Sequence, residues 1–380
     1  MSLGKPAFTL GVEEEYLLVD PETRDLASRP PKAFMQRCEE ALGPHVTHEF
    51  LQSQVEIGTS VCQSVGEVRD ELIRLRRTIS DVAREFGLRM IAASTHPWAV
   101  WHKQVPVEME RYRILTEAHQ SLARRMVICG THVHAGIADP ELRIELMNQI
   151  TYFLPHLLAL STSSPFWEGF DTGLKAFRPT IFGNLPRSGL PEHFESFSDW
   201  NDMLELLAET ELCDDPTKIW WDIRPSAKHP TLEMRICDMC TRVEDTIAIA
   251  AMYQSILAFL YHIRASNQSW RRYRRIFLAE NKWRAQRFGI DGSLADLGRR
   301  TLVPVAELVE ELTGLLREHA RELGCLQQLE HARAIVMNGT SADHQLRVYK
   351  AALEEGAEDH EAQTRVVDWL IEASLEGIPG

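Results

Sequence analysis

Hydrophobic and polar residues alternate along much of the first part of the chain, and this period of two predicts β-strands. Residues 8–20 show the clearest alternation. Apolar residues then recur at helical spacing over residues 65–86, which predicts one amphipathic helix. The same two patterns predict further elements, namely a helix at 140–160 and strands at 51–59, 90–94, 126–137, 219–224 and 231–238.

The order of these elements predicts an α+β fold. Strands and helices do not alternate regularly, and the chain after Arg242 is helical apart from an irregular interruption predicted at residues 281–292. This order favours a mainly antiparallel sheet that helices cover on one face. No linker divides the chain, so we expect one domain over residues 1–380. The segment 161–191, rich in proline and glycine, is predicted to be a long, ordered functional loop.

Composition and charge exclude several classes of protein. The 380 residues are 44% hydrophobic and 25% charged, which is ordinary for a globular protein. The net charge of −14 disfavours binding to nucleic acid or to an anionic membrane, because both attract a basic surface. It does not disfavour a small anionic substrate held by a few arginines or metal ions.

Cysteine usage and hydropathy indicate a reducing compartment. The seven cysteines are irregularly spaced and odd in number, which argues against a disulfide framework. No secretory signal is recognisable at the N-terminus, and no uninterrupted apolar run reaches the ~18–20 residues of a membrane span. The longest apolar segments, 150–160 and 247–263, are predicted to be buried helices. We therefore expect a cytoplasmic protein without a membrane partner.

The first strand carries two carboxylates on one face. In the segment GVEEEYLLV (residues 11–19), Glu13 and Glu15 project to the side of Leu17 and Val19. Two rises of ~3.3 Å separate them, and at an effective dielectric of ~20 their repulsion is roughly 2.5 kcal/mol. A bound cation would remove this cost, and a solvated strand end would screen it. The segment alone does not decide between these readings.

Two further strands carry polar groups of the same kind. Glu56 lies on the polar face of the second predicted strand, which by itself is usual for the wet side of a sheet. In the segment GTHVHAG (residues 130–136), His132 and His134 share a face, and the flanking glycines leave room for a ligand. Histidines two apart on a strand are a known metal-ligand spacing, although a hydrogen-bonded pair of core histidines has the same pattern.

A fourth strand adds an acid and a base. Glu233 and Arg235 share a face of the segment LEMRICD (residues 232–238), where they either pair together or bind a metal ion and an anionic substrate. Carboxylates with an occasional imidazole suit Mg²⁺ or Mn²⁺, and magnesium sites keep positions open for substrate phosphates. Neither the P-loop nor the dinucleotide fingerprint occurs in the chain. Together the four strands favour a nucleotide-dependent transfer site without a P-loop.

Several segments, in order along nearly the whole chain, resemble the bacterial glutamate–cysteine ligase type 2 family, the YbdK-like carboxylate–amine ligases. They are residues 11–17, 130–134 and 232–238, Phe177-Arg178 with LPRSGLP (185–191), and ENKW (280–283) through FGIDG (288–292). Each is weak alone, and their order makes them specific. The resemblance implies a glutamine-synthetase-like fold with a curved, mainly antiparallel sheet. Its concave face would hold ATP, an amino acid and two or three Mg²⁺ ions, with Mn²⁺ as an alternative.

The resemblance also implies roles for individual residues. The expected metal ligands are Glu13, Glu15, Glu56, His132 and Glu233. The expected catalytic residues are Arg235, which would meet the transferred phosphoryl group, and Glu56. Contacts to the nucleotide cofactor or the substrate are expected from Arg178, Arg187 and Lys282. The segment 161–191 is the expected lid, and the role of His134 stays open.

The implied reaction is ATP-dependent amide formation through an acyl phosphate, by default from glutamate and cysteine. Two other readings stay open. One is a non-catalytic, metal-dependent binder of an amino acid or nucleotide, and the other is a zinc amidohydrolase, which needs a regular βα series. His344 stands where the family more often has arginine, so the two substrates are open. A homodimer is expected from the family alone.

Overall fold

The alternating segment near the N-terminus forms the central strand of the main sheet. In the computed structural model, which describes residues 6–379, this strand spans Leu10–Val19. Val12, Glu14 and Tyr16 are fully buried, whereas Glu13 and Glu15 are partly exposed, as the alternation predicts. Residues 1–5, on which the expectation about a secretory signal falls, and Gly380 lie outside the described residues.

The described part of the chain contains thirteen strands. In chain order they are β1 (Leu10–Val19), β2 (Val46–His48), β3 (Gln54–Gly58), β4 (Arg89–Ile91), β5 (Thr131–Gly136), β6 (Phe166–Trp167), β7 (Phe170–Asp171), β8 (Ser188–Gly189), β9 (Trp220–Trp221), β10 (Ile223–Pro225), β11 (Thr231–Met234), β12 (Ser293–Asp296) and β13 (Thr301–Pro304).

Seven of these strands form the main sheet, in the spatial order β10-β11-β5-β1-β3-β2, with β4 paired to the end of β1. Every pairing in this sheet is antiparallel. The four strands on which the sequence placed polar groups, β3, β1, β5 and β11, are therefore consecutive neighbours. The α+β class with a mainly antiparallel sheet is confirmed, and the parallel barrel of an amidohydrolase is excluded.

The same described residues form fourteen α-helices. They are α1 (Lys32–Leu42), α2 (Val65–Glu85), α3 (Glu110–His119), α4 (Ser121–Arg124), α5 (Pro140–Ile150), α6 (Leu154–Ser161), α7 (Arg178–Phe182), α8 (Phe197–Glu209), α9 (Val243–Ala265), α10 (Arg275–Phe288), α11 (Val305–Glu322), α12 (Leu326–Asn338), α13 (Ser341–Glu354) and α14 (Asp359–Ala373).

Helices α2 and α9 cover one face of the sheet. Helix α2 begins where the sequence predicts, because the Ser64 hydroxyl accepts a hydrogen bond from the Glu67 amide (3.2 Å) and caps the first turn. Helix α9 is long and apolar enough by length and composition to cross a bilayer, yet most of it is buried inside the protein. It packs against β1 and β5 as a core helix, and burial predicted for 247–263 holds for residues 247–260, whereas His262 is exposed.

A buried ion pair ties α2 to the covered face of the sheet. Glu14 points to the side opposite its neighbours Glu13 and Glu15, and its carboxylate accepts two hydrogen bonds from Arg76 (2.6 and 2.7 Å). Tyr16 and Thr246 donate to the same carboxylate at 2.6 and 2.7 Å. Because every partner is fully buried, Glu14 belongs to the core and is separated from the opposite face by the sheet itself.

Two predicted elements are wrong in detail. The helix predicted at 140–160 is broken by a 3₁₀ turn at Thr151–Phe153, just before Pro155, which has no N–H to continue the helical bonding. The interruption predicted at 281–292 is largely helix α10, and the hairpin of β12 and β13 follows it. Asn281, whose residue type disfavours helices, is fixed there by two side-chain bonds to the backbone of Ala295 (2.7 and 3.0 Å).

The predicted lid, residues 161–191, does not behave as one unit. Residues 161–167 are all buried, and the Ser163 amide and the Ser164 hydroxyl donate to the buried carboxylate of Asp238 (2.9 and 2.6 Å). A segment bonded into the core in this way cannot swing without breaking those bonds. Residues 161–167 are therefore part of the core, whereas the chain reaches the surface at Phe170 and again around Arg187.

Candidate active site

A large cavity lies on the face of the main sheet opposite α2 and α9. Its volume is about 1140 Å³, more than a pocket for one drug-sized ligand usually has. The floor consists of side chains from β1, β3, β5 and β11. Further lining residues come from helix α3 with the start of α4 and from the segment 208–220, which meet where the rings of His119 and Trp220 lie 5.5 Å apart.

Strand register brings the predicted polar groups together on this floor. Glu13 is paired with His132 across β1 and β5, and Glu15 is paired with Glu56 across β1 and β3. His134 is paired in the same way with Glu233 of β11. The residues that line the cavity include all five expected metal ligands, Arg235, Arg187 and His134.

Glu13 lies between the two histidines. Its Oε2 atom is 3.0 Å from Nδ1 of His132, and its Oε1 atom is 3.4 Å from Nε2 of His134. Burial and the nearby Arg235 lower the pKa of His132 to about 4, so this ring is neutral at pH 7. Because Nδ1–H of His132 donates a hydrogen bond to the carboxylate of Glu13, the Nε2 atom carries a lone pair. This Nε2 atom is buried and makes no hydrogen bond among the described residues.

Three carboxylates at the other side of the floor repel one another. Burial raises the pKa of Glu15 to about 7, despite the opposing charge of Arg178. Burial, with the negative charge of Glu49, raises the pKa of Glu56 to about 8. Burial, with the charge of Glu15, raises the pKa of Glu49 to about 7. The nearby arginines compensate the negative charge of these three carboxylates only in part. A divalent cation bound between them would reduce the remaining repulsion.

Glu233 stays ionised because two arginines hold it. Arg224 donates to both of its oxygens (2.9 and 3.3 Å), and Arg235 donates to Oε1. Burial alone would raise the pKa of Glu233, but Arg235 and Arg224 hold it well below its usual range. The Nε atom of Arg235 is buried without a hydrogen-bond partner among the described residues. Arg235 therefore has donor capacity left for an anion.

Two residues expected to contact the cofactor do not line the large cavity. Arg178 is 4% exposed and lies beneath Gly130, where a Cβ atom would be 2.2 Å from its Nη2. Lys282 is bound to the carboxylate of Asp222 at 2.7 and 2.8 Å. Both border a second cavity of about 10 Å³ behind Arg235, with room for roughly one water molecule. Arg187 lines the large cavity, whereas Arg178 and Lys282 lie behind Arg235, and contact of all three with the cofactor stays a prediction.

Two residues of the site were missed from the sequence. Glu49 lies in the loop after β2, outside any alternating pattern, and its carboxylate accepts a hydrogen bond from the Phe50 amide (2.8 Å). Arg224 was the second residue missed: it lies on β10, which is antiparallel to β11, and it is paired there with Glu233. The two strands predicted at 219–224 and 231–238 were the signal that could have brought this pair together.

His344 lies outside the large cavity. Its ring nitrogens are 3.0 Å from Arg242 and 3.2 Å from Arg347, and its ring stacks on Trp369 with centroids 5.4 Å apart. Burial and the charge of Arg242 lower its pKa. The departure from the family pattern at His344 therefore affects the packing of the C-terminal helices and not the lining of the cavity.

Comparison with known proteins agrees with this geometry. The profile of "Glutamate-cysteine ligase family 2 (GCS2)" matches residues 9–368. A protein of Rhodospirillum rubrum named "Putative glutamate--cysteine ligase 2" is 52% identical over 371 residues, covering 97% of this chain and 95% of the relative. A protein of Jannaschia sp. with the same name is 47% identical, covering 96% of each chain.

The chain belongs to glutamate–cysteine ligase family 2. Family membership confirms the predicted enzyme class, an ATP-dependent carboxylate–amine ligase. The glutamate–cysteine ligase of Francisella tularensis, solved with AMP, superposes with a TM-score of 0.68 at 12% identity, covering 98% of this chain and 90% of that one. The bifunctional glutathione synthetase of Pasteurella multocida gives 0.69 at 14% identity, covering 97% and 53%. These likenesses confirm the glutamine-synthetase-like fold.

Proposed function

We propose that this ligase joins the γ-carboxylate of glutamate to the amino group of cysteine through an acyl phosphate made from ATP. One observation carries the proposal. Carboxylates and histidines from four neighbouring strands converge on one cavity of about 1140 Å³, and Arg224 and Arg235 lie among them. Such a cavity has room for a nucleotide together with an amino acid.

The donor set fits divalent cations. We assign as ligands Glu13, Glu15, Glu56, His132 and Glu233, to which Glu49 is added. Glu13, Glu56 and His132 offer ligand atoms that lie within 4.8 Å of one another. The Nε2 atom of His132, which has no hydrogen-bond partner among the described residues, lies 3.8 Å from Oε1 of Glu15. Without a cation between them, the lone pairs of these two atoms would face each other. Mg²⁺ or Mn²⁺ bound here would neutralise the charge of the ATP phosphates.

The protein's own residues supply the remaining stabilisation. In the first step the γ-carboxylate of glutamate attacks the γ-phosphorus of ATP and ADP leaves. Arg235 would donate to the oxygens of the transferred phosphoryl group, and Arg224 would keep Glu233 ionised and in place. In the second step the amine attacks the acyl carbon, loses a proton, and phosphate leaves. Helix α3 and the segment 208–220 line the cavity and would limit the entry of water.

The proposal is tested by measuring release of ADP from ATP with Mg²⁺, with glutamate alone, with cysteine alone, and with both. ADP formed only with both amino acids, together with γ-glutamylcysteine, is the expected result. Arg235→Met should reduce the rate by at least ~100-fold because it removes phosphoryl stabilisation. Arg365→Met, in an exposed ion pair with Glu355, is the control.

Other outcomes separate the alternatives. ADP release with glutamate alone would retain the acyl-phosphate step and reject cysteine as the required amine. No ADP with either cation and either amino acid, combined with tight binding of ATP, would reject the proposed substrates and favour the non-catalytic binder.

A further inference from the structure

We infer that Lys228, in the loop between β10 and β11, binds the α-carboxylate of the glutamate substrate and so selects acids that carry a second carboxylate. The inference rests on the proposed function, because it takes glutamate as the acid that ATP activates. Lys228 belongs to none of the segments that carry the family resemblance, and the sequence pattern gave it no role.

The first argument is that the other cations of the large cavity are already engaged. Six lysines and arginines line it, namely Arg111, Arg187, Lys218, Arg224, Lys228 and Arg235. Arg224 and Arg235 hold Glu233, Lys218 is bonded to Asp214 (2.7 Å), and Arg111 and Arg187 donate to backbone carbonyls. Of these six side chains, only that of Lys228 makes no hydrogen bond or ion pair to any described residue. Its ammonium group is therefore available to an anion that enters the cavity.

The second argument is that the backbone which carries Lys228 is fixed. Residues 226–230 join two strands of the main sheet, so the loop continues the floor of the cavity. The Ser226 hydroxyl accepts a hydrogen bond from the Lys228 amide (3.3 Å). The amide of Ile137, just after β5, donates to the Pro230 carbonyl (2.9 Å) and ties the loop to the neighbouring strand. Binding a substrate therefore has to order the lysine side chain but not the loop.

The third argument is the direction in which glutamate lies on the floor. Its γ-carboxylate belongs near Arg235, which is proposed to contact the transferred phosphoryl group. The strand register places Glu15 and Glu56 on the side of Arg235 that faces away from the loop, where the cations and the phosphates of ATP are proposed to bind. A second carboxylate would be repelled on that side. On the other side Thr231, at the start of β11, is four residues or ~13 Å from Arg235, which glutamate and the side chain of Lys228 can span together.

Steady-state kinetics with glutamate and with 4-aminobutyrate test the inference, because 4-aminobutyrate keeps the reacting carboxylate and lacks the α-carboxylate. Lys228→Met should raise the KM for glutamate by at least ~10-fold and leave the KM values for ATP and cysteine within about twofold. ADP release with 4-aminobutyrate should be the same in Lys228→Met as in the wild type. Lys228→Arg keeps the positive charge and should recover most of the affinity for glutamate. Lys350→Met, at an exposed lysine of α13 outside the cavity, is the matched control and should behave as the wild type does.

The outcomes separate this inference from the proposed function. An active wild type whose Lys228→Met variant keeps the KM for glutamate would overturn the inference alone. Equal losses with glutamate and with 4-aminobutyrate would also overturn it, because the effect would not depend on the α-carboxylate. A wild type that releases no ADP with glutamate would refute the proposed function and the inference with it. Lys228 is exposed and is bonded only through its backbone, so its variants should fold as the wild type does, which circular dichroism checks.

Discussion

Replacement of Glu56 by glutamine is the perturbation whose effect can be worked out most directly from the structure. Burial, together with Glu49 and Glu13, raises the pKa of Glu56 from the ordinary 4.5 to about 8. Each pH unit by which a pKa rises is worth about 1.4 kcal/mol, so ionising Glu56 in the cation-free protein costs roughly 5 kcal/mol before relaxation. Solvent in the cavity and movement of neighbouring side chains reduce this cost, and we expect ionisation of Glu56 to cost about 2 kcal/mol.

The sign of the pH dependence follows from linkage. Because its pKa is higher in the folded than in the unfolded state, Glu56 takes up a proton when the protein folds at a pH between about 4.5 and 8. Its contribution to the free energy of unfolding is therefore fully present below this window and is lost as the pH rises through it. Glu56→Gln lacks the ionisation, so its stability should fall less between about pH 5 and 8.5. At the higher pH the cation-free variant should be the more stable protein.

Urea unfolding of both proteins, at the two pH values and with or without Mg²⁺, measures this effect. Mg²⁺ should stabilise the wild type most at high pH, where Glu56 is ionised, and should stabilise Glu56→Gln much less. Turnover should fall by at least ~100-fold with the fold intact. Glu85→Gln, an exposed carboxylate paired with Arg37, is the control and should change neither quantity. Near-normal turnover of Glu56→Gln, with the Mg²⁺ stabilisation of the wild type, would refute the assignment.

Three further outcomes follow from other parts of the molecule. Arg76→Met leaves the buried carboxylate of Glu14 unpaired and should lower the free energy of unfolding by about 3–5 kcal/mol in urea titrations, whereas the double variant with Glu14→Gln should recover most of it. His344→Gln should change stability but leave kcat within about twofold, because the residue lies outside the cavity; a large loss of kcat would contradict this placement. Gly130→Ala should displace the guanidinium of Arg178 and lower kcat by at least ~10-fold, while the circular dichroism spectrum stays unchanged. Wild-type activity of this variant would show that the position of Arg178 beneath Gly130 does not matter for catalysis.

Much of the floor of the site could be predicted because a strand has a period of two. Glu13 and Glu15 must share a face, and Glu14 must take the other, whatever the rest of the chain does. The same argument pairs His132 with His134, and Glu233 with Arg235. The family resemblance then assigned a role to each of these side chains. The observed register places them next to one another on the sheet, as those roles require.

Residues whose position depends on a loop or on distant packing could not be predicted in this way. Glu49 follows β2 without any periodic pattern, and only the turn into β3 directs it toward Glu15 and Glu56. Arg178 and Lys282 belong to recognisable motifs, but α7 and α10 place them behind Arg235 and not in the large cavity. The local sequence of a helix does not indicate where on the sheet the helix packs, and so it does not indicate which cavity its side chains line.

The sequence by itself determined the local alternation, the acidic charge, the position of helix α2 and the family to which the chain is related. The tertiary structure alone decided which strands are neighbours, which carboxylates repel one another, and which walls enclose the cavity. The physical reason is that backbone geometry fixes side-chain direction within a single element, whereas the pKa of Glu56 or the unpartnered Nε2 of His132 depends on groups far away in the chain. Burial brings those groups together only when the whole sheet has formed.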